Sequence, residues 1–106
     1  MSACYRGGRG QYGSVVVKYR VIGNFSNETD HDISLFLEIT CEIVILSPGQ
    51  DVELLAEDRA EYFPVDVLYH KDGLQIYPKS GSPIWKIRFK GIELSPGHPT
   101  RLSDYD

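Results

Sequence analysis

The stretches Leu46-Ser47-Pro48-Gly49 and Leu94-Ser95-Pro96-Gly97 decide the fold class of this chain. In each, proline presets the first angle of a tight turn and glycine accepts the positive φ that follows. An apolar run with a period of two precedes each turn, and a leucine, Leu54 or Leu102, follows at the same offset. This period is typical of β-strands. The pattern therefore predicts strand, turn and strand, twice.

The rest of the chain carries further strand signals. Period-two runs occupy residues 15–21, 33–45, 65–69 and 85–89, and Asp72-Gly73 is a pair that favours hairpin turns. Together these signals predict an all-β fold with about seven strands. We expect an antiparallel, immunoglobulin-like β-sandwich or a small barrel, with at most one short helix.

Three local patterns refine this expectation. The run 33–45 is long for one strand of a small domain, so a bend or bulge is predicted within it. The apolar parity changes at Gly91, which predicts a β-bulge there. Residues 56–62 are the only segment whose sequence favours a helix, and Pro64 would end that helix.

Residues 55–63, LAEDRAEYF, resemble the corner that precedes strand F in immunoglobulin variable domains. The family pattern is Asp-x-Ala-x-Tyr, and Asp58, Ala60 and Tyr62 match it. Pro64 stands where that family has its second cysteine. The resemblance implies a sandwich fold, and it implies no antibody-like function.

One face of each strand is expected to form the core. The apolar positions that share these faces are Val17, Tyr19, Leu35, Leu37, Ile39, Cys41, Val67, Trp85, Ile87 and Phe89. Because Cys41 falls among them, we predict a buried free thiol rather than a disulfide with Cys4, the other cysteine.

Length and composition predict one β domain over residues 14–106, preceded by a flexible glycine- and arginine-rich arm over residues 1–13. The net charge of −4 argues against a general nucleic-acid-binding surface. No apolar run approaches the roughly 18 residues that span a bilayer, and MSACYRGGRG lacks the apolar region of a signal peptide. We expect a cytoplasmic protein with no membrane contact.

The expected contact surface is either an exposed strand edge, which offers unpaired backbone groups, or a basic surface, for which the candidate binding residues are five cations. Lys86, Arg88 and Lys90 form a basic stripe on one face of the run 85–89 and its end, which could bind an anionic ligand or an acidic partner. The structural alternative is cross-strand pairing with Glu38 and Glu42.

The other two cations, Arg6 and Arg9, lie in RGGRGQYG, which resembles the arginine- and glycine-rich segments that bind RNA. An arm without a partner is the alternative interpretation.

The sequence contains few candidates for catalytic or metal-binding residues. The acidic loop with Glu28, Asp30, His31 and Asp32 matches no EF-hand spacing, and we expect a solvated loop with no metal and no cofactor. The sequons at Asn24 and Asn27 are expected to be unused.

The three histidines have no nucleophile or base at a recognised motif distance. We therefore expect no enzymatic activity.

These observations favour a small non-enzymatic protein-binding module, such as an accessory subunit, an inhibitor or an immunity-like protein. Aromatic residues, which are enriched at interfaces, occur near its turns: Tyr62, Phe63, Tyr69 and Tyr77. Two alternatives stay open. One is a nucleic-acid-binding accessory protein that uses the RGGRG arm and the basic stripe, and the other is a small metal-dependent or hydrolytic enzyme.

Overall fold

Nine β-strands make up half of the described chain, which in this computed structural model is residues 17–106. The strands are β1 (Tyr19–Ser26), β2 (Ile33–Leu37), β3 (Glu42–Leu46), β4 (Asp51–Glu57), β5 (Asp66–His70), β6 (Gly73–Tyr77), β7 (Trp85–Phe89), β8 (Ile92–Leu94) and β9 (Thr100–Arg101). Two 3₁₀ turns, Ala60–Tyr62 and Leu102–Tyr105, are the only helical segments in this range. The predicted all-β class is confirmed. None of the helical segments described is long and apolar enough to cross a membrane.

The strands form two sheets. One has four strands in the order β1-β4-β7-β8, and the other has five in the order β5-β6-β2-β3-β9. Every neighbouring pair is antiparallel except β2–β6 and β3–β9, which are parallel. The five-stranded sheet is therefore mixed.

A single apolar core lies between the sheets. The four-stranded sheet contributes the inward side chains of β4 and β7, and the five-stranded sheet contributes those of β2, β3 and β6. The buried members are Leu35, Leu37, Val44, Leu46, Val52, Leu54, Ala56, Ile76, Trp85, Ile87, Phe89 and Leu102. Because these residues come from both sheets, the two sheets pack face to face.

Both Ser-Pro-Gly turns connect one sheet to the other. Ser47-Pro48-Gly49 links β3 to β4, where the Gln50 N–H donates to the Ser47 carbonyl at 3.0 Å and Gly49 has φ = 85°. The second turn links β8 to β9, and there the Gly97 N–H donates to Thr100 Oγ1 at 2.7 Å. The predicted strand–turn–strand units are present, and each carries the chain across the core.

The bend or bulge predicted within residues 33–45 is instead a full reversal that divides the run into two strands. The chain reverses at residues 38–41, and β2 and β3 pair antiparallel, with Leu37 opposite Glu42 and Ile33 opposite Leu46. Cys41, with φ = 60°, lies in this turn. The reversal also changes which positions face the core. In β3 the even-numbered residues Val44 and Leu46 are buried, while Ile43 and Ile45 lie on the outer face.

The predicted bulge at Gly91 is also a turn. Lys90 and Gly91 form a two-residue hairpin between β7 and β8, and Phe89 pairs with Ile92. Both turn residues have positive φ, 51° and 77°, which is the geometry of a type I′ hairpin. The helix predicted for residues 56–62 shortens to the 3₁₀ turn Ala60–Tyr62, because β4 continues to Glu57.

The predicted core is half right. Leu35, Leu37, Trp85, Ile87 and Phe89 are buried. Two predicted members, Val17 and Val67, are exposed. The other three, Tyr19, Ile39 and Cys41, are half-buried. Alternation places all five in strands, but only Tyr19 and Val67 are in strands, both at sheet edges, while Val17 precedes β1 and Ile39 and Cys41 lie in the turn between β2 and β3.

The predicted free thiol is wrong as well, because Cys41 is disulfide-bonded. The sequence contains one other cysteine, Cys4, which lies outside the described residues. The predicted arm, residues 1–13, lies outside the described residues too.

Candidate functional site

The three cations of the basic stripe all have polar partners. The Lys86 ammonium donates to Ser95 Oγ at 2.7 Å. Arg88 stands between two carboxylates, since it pairs across strands with Glu53 on β4 and Glu93 on β8, and its guanidinium forms an ion pair with each. The Lys90 ammonium contacts the Asp106 carboxylate.

These contacts change the character of the stripe. Arg88 lies in a row of alternating charge, acid–base–acid, rather than on a cationic surface. Lys90 is in the β7–β8 turn and holds the second 3₁₀ turn through Asp106. The acids that pair with the stripe are therefore Glu53, Glu93 and Asp106, and not Glu38 or Glu42. The two cations of the RGGRG arm, Arg6 and Arg9, lie outside the described residues.

The aspartates of the acidic loop contact different partners. Asp32 forms an ion pair with Arg101 at 3.1 Å, and Asp30 contacts His31 Nδ1 at 3.0 Å. The hydrogen bond from His31 lowers the pKa of the Asp30 carboxyl. Within residues 17–106, no three metal-ligating side chains form a group that could hold an ion.

Asn27 organises the same loop. The residue is 2% exposed, and its side-chain amide donates to the carbonyls of His31, at 2.8 Å, and Leu46, at 2.9 Å. Its Oδ1 accepts from Thr29 N at 2.9 Å and from Thr29 Oγ1 at 2.7 Å. The second sequon is thus a structural loop. The first sequon differs, because the Asn24 side chain is exposed and donates to Asp51.

The three histidines lie at separate places. His31 contacts Asp30, and the His98 Nδ1 is 2.7 Å from the Cys41 carbonyl oxygen. His70 ends β5, accepts from the Asp72 N–H at 3.2 Å and packs its ring edge-on against Phe36, with centroids 5.3 Å apart. The fold does not bring these side chains together into a catalytic constellation.

The feature that stands out is β5, at one edge of the five-stranded sheet. Its neighbour is β6 alone, so within residues 17–106 no strand pairs with the backbone N–H and C=O groups on its other side. Its three central residues are consecutive apolar side chains with large exposed fractions: Val67 48%, Leu68 45% and Tyr69 93%. We call these three residues the β5 edge patch.

The patch faces two ways. Val67 pairs with buried Ile76 and Tyr69 pairs with Leu74, so both project on the core side of the sheet, beyond the cover of the four-stranded sheet. Leu68 pairs with Gln75 and projects from the outer face. Both faces of this strand are therefore apolar and accessible.

The other three edge strands are protected in ways that β5 is not. The β1 strand is broken by a register shift between Val21 and Gly23. The β8 strand has three residues and β9 has two. Bulges and short lengths are common devices that stop an edge from pairing with another chain. Of the four edges in the described chain, β5 alone is regular, five residues long and apolar at its centre.

The sequence predicts an exposed strand edge as one possible contact surface, but it does not identify β5 as that edge. Alternation predicts that Val67 is in the core, and Tyr69 stands in the same alternating run, near a turn. The available signal was three consecutive apolar residues in a short strand next to a hairpin, since a half-buried strand would place a polar residue at position 68.

Comparison with protein-family models, with curated protein sequences and with solved structures finds no match for this chain.

Proposed function

We propose that this protein is a non-enzymatic protein-binding module whose contact surface is the β5 edge patch. It would act as an accessory subunit, an inhibitor or an immunity-like protein. The single observation that carries the proposal is an open, regular strand edge with Val67, Leu68 and Tyr69 exposed on it.

The mode of binding follows from the chemistry of this edge. An added extended segment would hydrogen-bond with the free backbone groups of β5, which supplies affinity that does not depend on sequence. Side chains of that segment would then pack beside Leu68 on one face and beside Val67 and Tyr69 on the other, which supplies selectivity. Tyrosine is enriched at binding hot spots because it offers a large, rigid contact area.

The basic stripe is a weaker candidate for the contact surface. Its central cation, Arg88, is engaged by Glu53 and Glu93, so an acidic partner would have to displace two carboxylates. The nucleic-acid alternative loses support from this stripe for the same reason.

The disulfide at Cys41 argues against the predicted cytoplasmic location. Disulfides form and persist mainly in oxidising compartments, so the bonded state of Cys41 favours such a compartment over the cytoplasm.

The proposal is tested with displayed random eight-residue peptides. These are selected on the immobilised wild-type protein and counter-selected on Leu68→Lys, which puts a charge in the middle of the patch. We expect enriched peptides with alternating apolar residues, and their affinity should fall at least about tenfold for Leu68→Lys and for Tyr69→Ala.

The matched control is Ile92→Lys, which places the same charge at an exposed apolar residue of another edge strand. That variant should bind like the wild type. The proposal is refuted if no peptide distinguishes the wild type from Leu68→Lys, or if Ile92→Lys loses binding equally.

A further inference from the structure

The β5 edge is unusual in that it is complementary to itself. When two copies of a strand pair antiparallel about a two-fold axis, each residue lies opposite a residue of the second chain, and the two residue numbers always add up to the same value. An axis through Leu68 places Leu68 opposite its own copy and Val67 opposite Tyr69 of the second chain. It also places Asp66 opposite His70 of the second chain, and this pair occurs twice. The three residues of the patch therefore meet one another.

Charge selects this register over its neighbours. With the axis through Leu68, an acidic residue faces an imidazole at both ends of the pair. With the axis moved to Tyr69, Asp66 would have no partner in β5 of the second chain, because position 72 lies in the β5–β6 turn, and both Asp66–His70 pairs would be lost. With the axis moved to Val67, Asp66 would face Leu68, and the aromatic side chain would leave the centre of the pair.

We infer that the segment bound at the β5 edge patch is β5 of a second copy of this chain, in a two-fold antiparallel pair centred on Leu68. This inference rests on the proposed function of that edge. The two five-stranded sheets would join into one continuous sheet of ten strands. Because the two-fold contact uses the same edge on both chains, it closes at a dimer and leaves no free β5 edge.

The pair is short, so the dimer should be weak. A five-residue strand pair buries far less area than a standard protein–protein interface, which places it among transient contacts. Sedimentation velocity of the wild-type chain from about 1 µM to about 1 mM covers the dissociation constants of such contacts.

Over that range the average mass of the wild type should rise from 12.0 kDa toward twice that value. Leu68→Lys and Tyr69→Ala should stay near the monomer mass at every concentration. The control Ile92→Lys should follow the wild type. Leu68 and Tyr69 are not core residues, so each variant should melt at the wild-type temperature, which shows that it is folded.

The register has its own test. Leu68→Cys brings two thiols face to face across the axis, and mild oxidation should give a reducible covalent dimer at concentrations where the wild type associates. Ile92→Cys, which has a similar exposure on another edge, should cross-link much less.

The outcomes separate the inference from the proposed function. A wild-type protein that remains monomeric up to about 1 mM while it binds selected peptides through Leu68 overturns the second copy as the occupant and leaves the proposed function standing. If Leu68→Lys dimerises as well as the wild type, the inference is overturned, because the dimer then forms at another surface. It is also overturned if the wild type dimerises but Leu68→Cys does not cross-link.

Discussion

The strands β5 and β7 have the same length and a comparable number of apolar residues, yet they behave in opposite ways. In β7 the residues Trp85, Ile87 and Phe89 are buried, and the charged residues between them face outward. In β5 the three central residues are exposed. The difference is the position in the sheet, because β7 lies between two strands and under the opposite sheet, while β5 lies at an edge beyond that cover. Alternation predicts which side chains share a face, and topology decides whether the face is covered.

The largest expected effect separates these two strands directly. Ile87→Ala removes a fully buried side chain from the core and should lower the free energy of unfolding by about 2–5 kcal/mol. Val67→Ala, at an exposed edge position, should cost less than about 1 kcal/mol. Chemical denaturation of both variants measures this difference. A similar loss at both positions would mean that Val67 is in the core, as the alternation alone predicts.

Much of the fold is readable in the sequence, for physical reasons that particular residues illustrate. Trp85, Ile87 and Phe89 alternate with charged residues, so their burial is predictable from a period of two. The reversal at residues 38–41 is not, because Ile39 and Cys41 continue the apolar parity through the turn and no glycine or proline marks it. The turn at Lys90-Gly91 does have a signal, because the apolar positions change from odd to even numbers at a glycine. That signal fits a bulge and a two-residue turn equally well.

The candidate site was less predictable than the fold. The charged stripe can be recognised from Lys86, Arg88 and Lys90, but its acidic partners come from β4, β8 and the chain beyond residue 101, and their register depends on the whole topology. The three consecutive apolar residues of β5 are visible in the sequence, but their place at an open sheet edge could not be known before the strand order.

The second effect concerns the turn that joins β2 and β3. Cys41→Ser removes a disulfide, and the free energy of unfolding should fall by about 2–4 kcal/mol. Leu68→Ser, the same replacement residue on the open edge, should cost less than about 1 kcal/mol. Denaturation without and with a reductant measures the effect. Reductant should destabilise the wild type and leave the stability of Cys41→Ser unchanged, whereas a wild type that is insensitive to reductant would show a free thiol at Cys41.

The third effect compares the two asparagines of the sequons. Asn27→Ala leaves the buried carbonyl of Leu46 without its donor and should lower the free energy of unfolding by about 1–3 kcal/mol. Asn24→Ala, at an exposed position, should change it by less than about 0.5 kcal/mol. Thermal denaturation of the two variants provides the measurement. Equal effects would contradict the structural role of Asn27.

The smallest effect is a pH dependence at Asp106. Hydrogen bonds from the Lys90 ammonium and then from the Gln50 amide lower the pKa of the Asp106 carboxyl. Since the folded pKa lies below the unfolded one, the contribution to stability is present above about pH 4 and disappears as the pH falls through the lowered pKa.

In Asp106→Asn this part of the acid dependence should be missing. The wild type and the variant should then converge in stability at low pH, as measured by denaturation between about pH 2 and pH 7. A constant difference across that range would show that the carboxylate does not interact with Lys90 in its charged form.

Amide hydrogen exchange of β5 at low and high protein concentration tests the central claim most directly. The account predicts that the β5 amides that point away from β6, which alternate along residues 66–70, exchange readily in dilute solution and become protected as the concentration rises, while the amides of β8, another edge strand, exchange at the same rate throughout. Protection of β5 that is already complete in dilute solution, or that does not change with concentration, would contradict an open edge that a second chain covers.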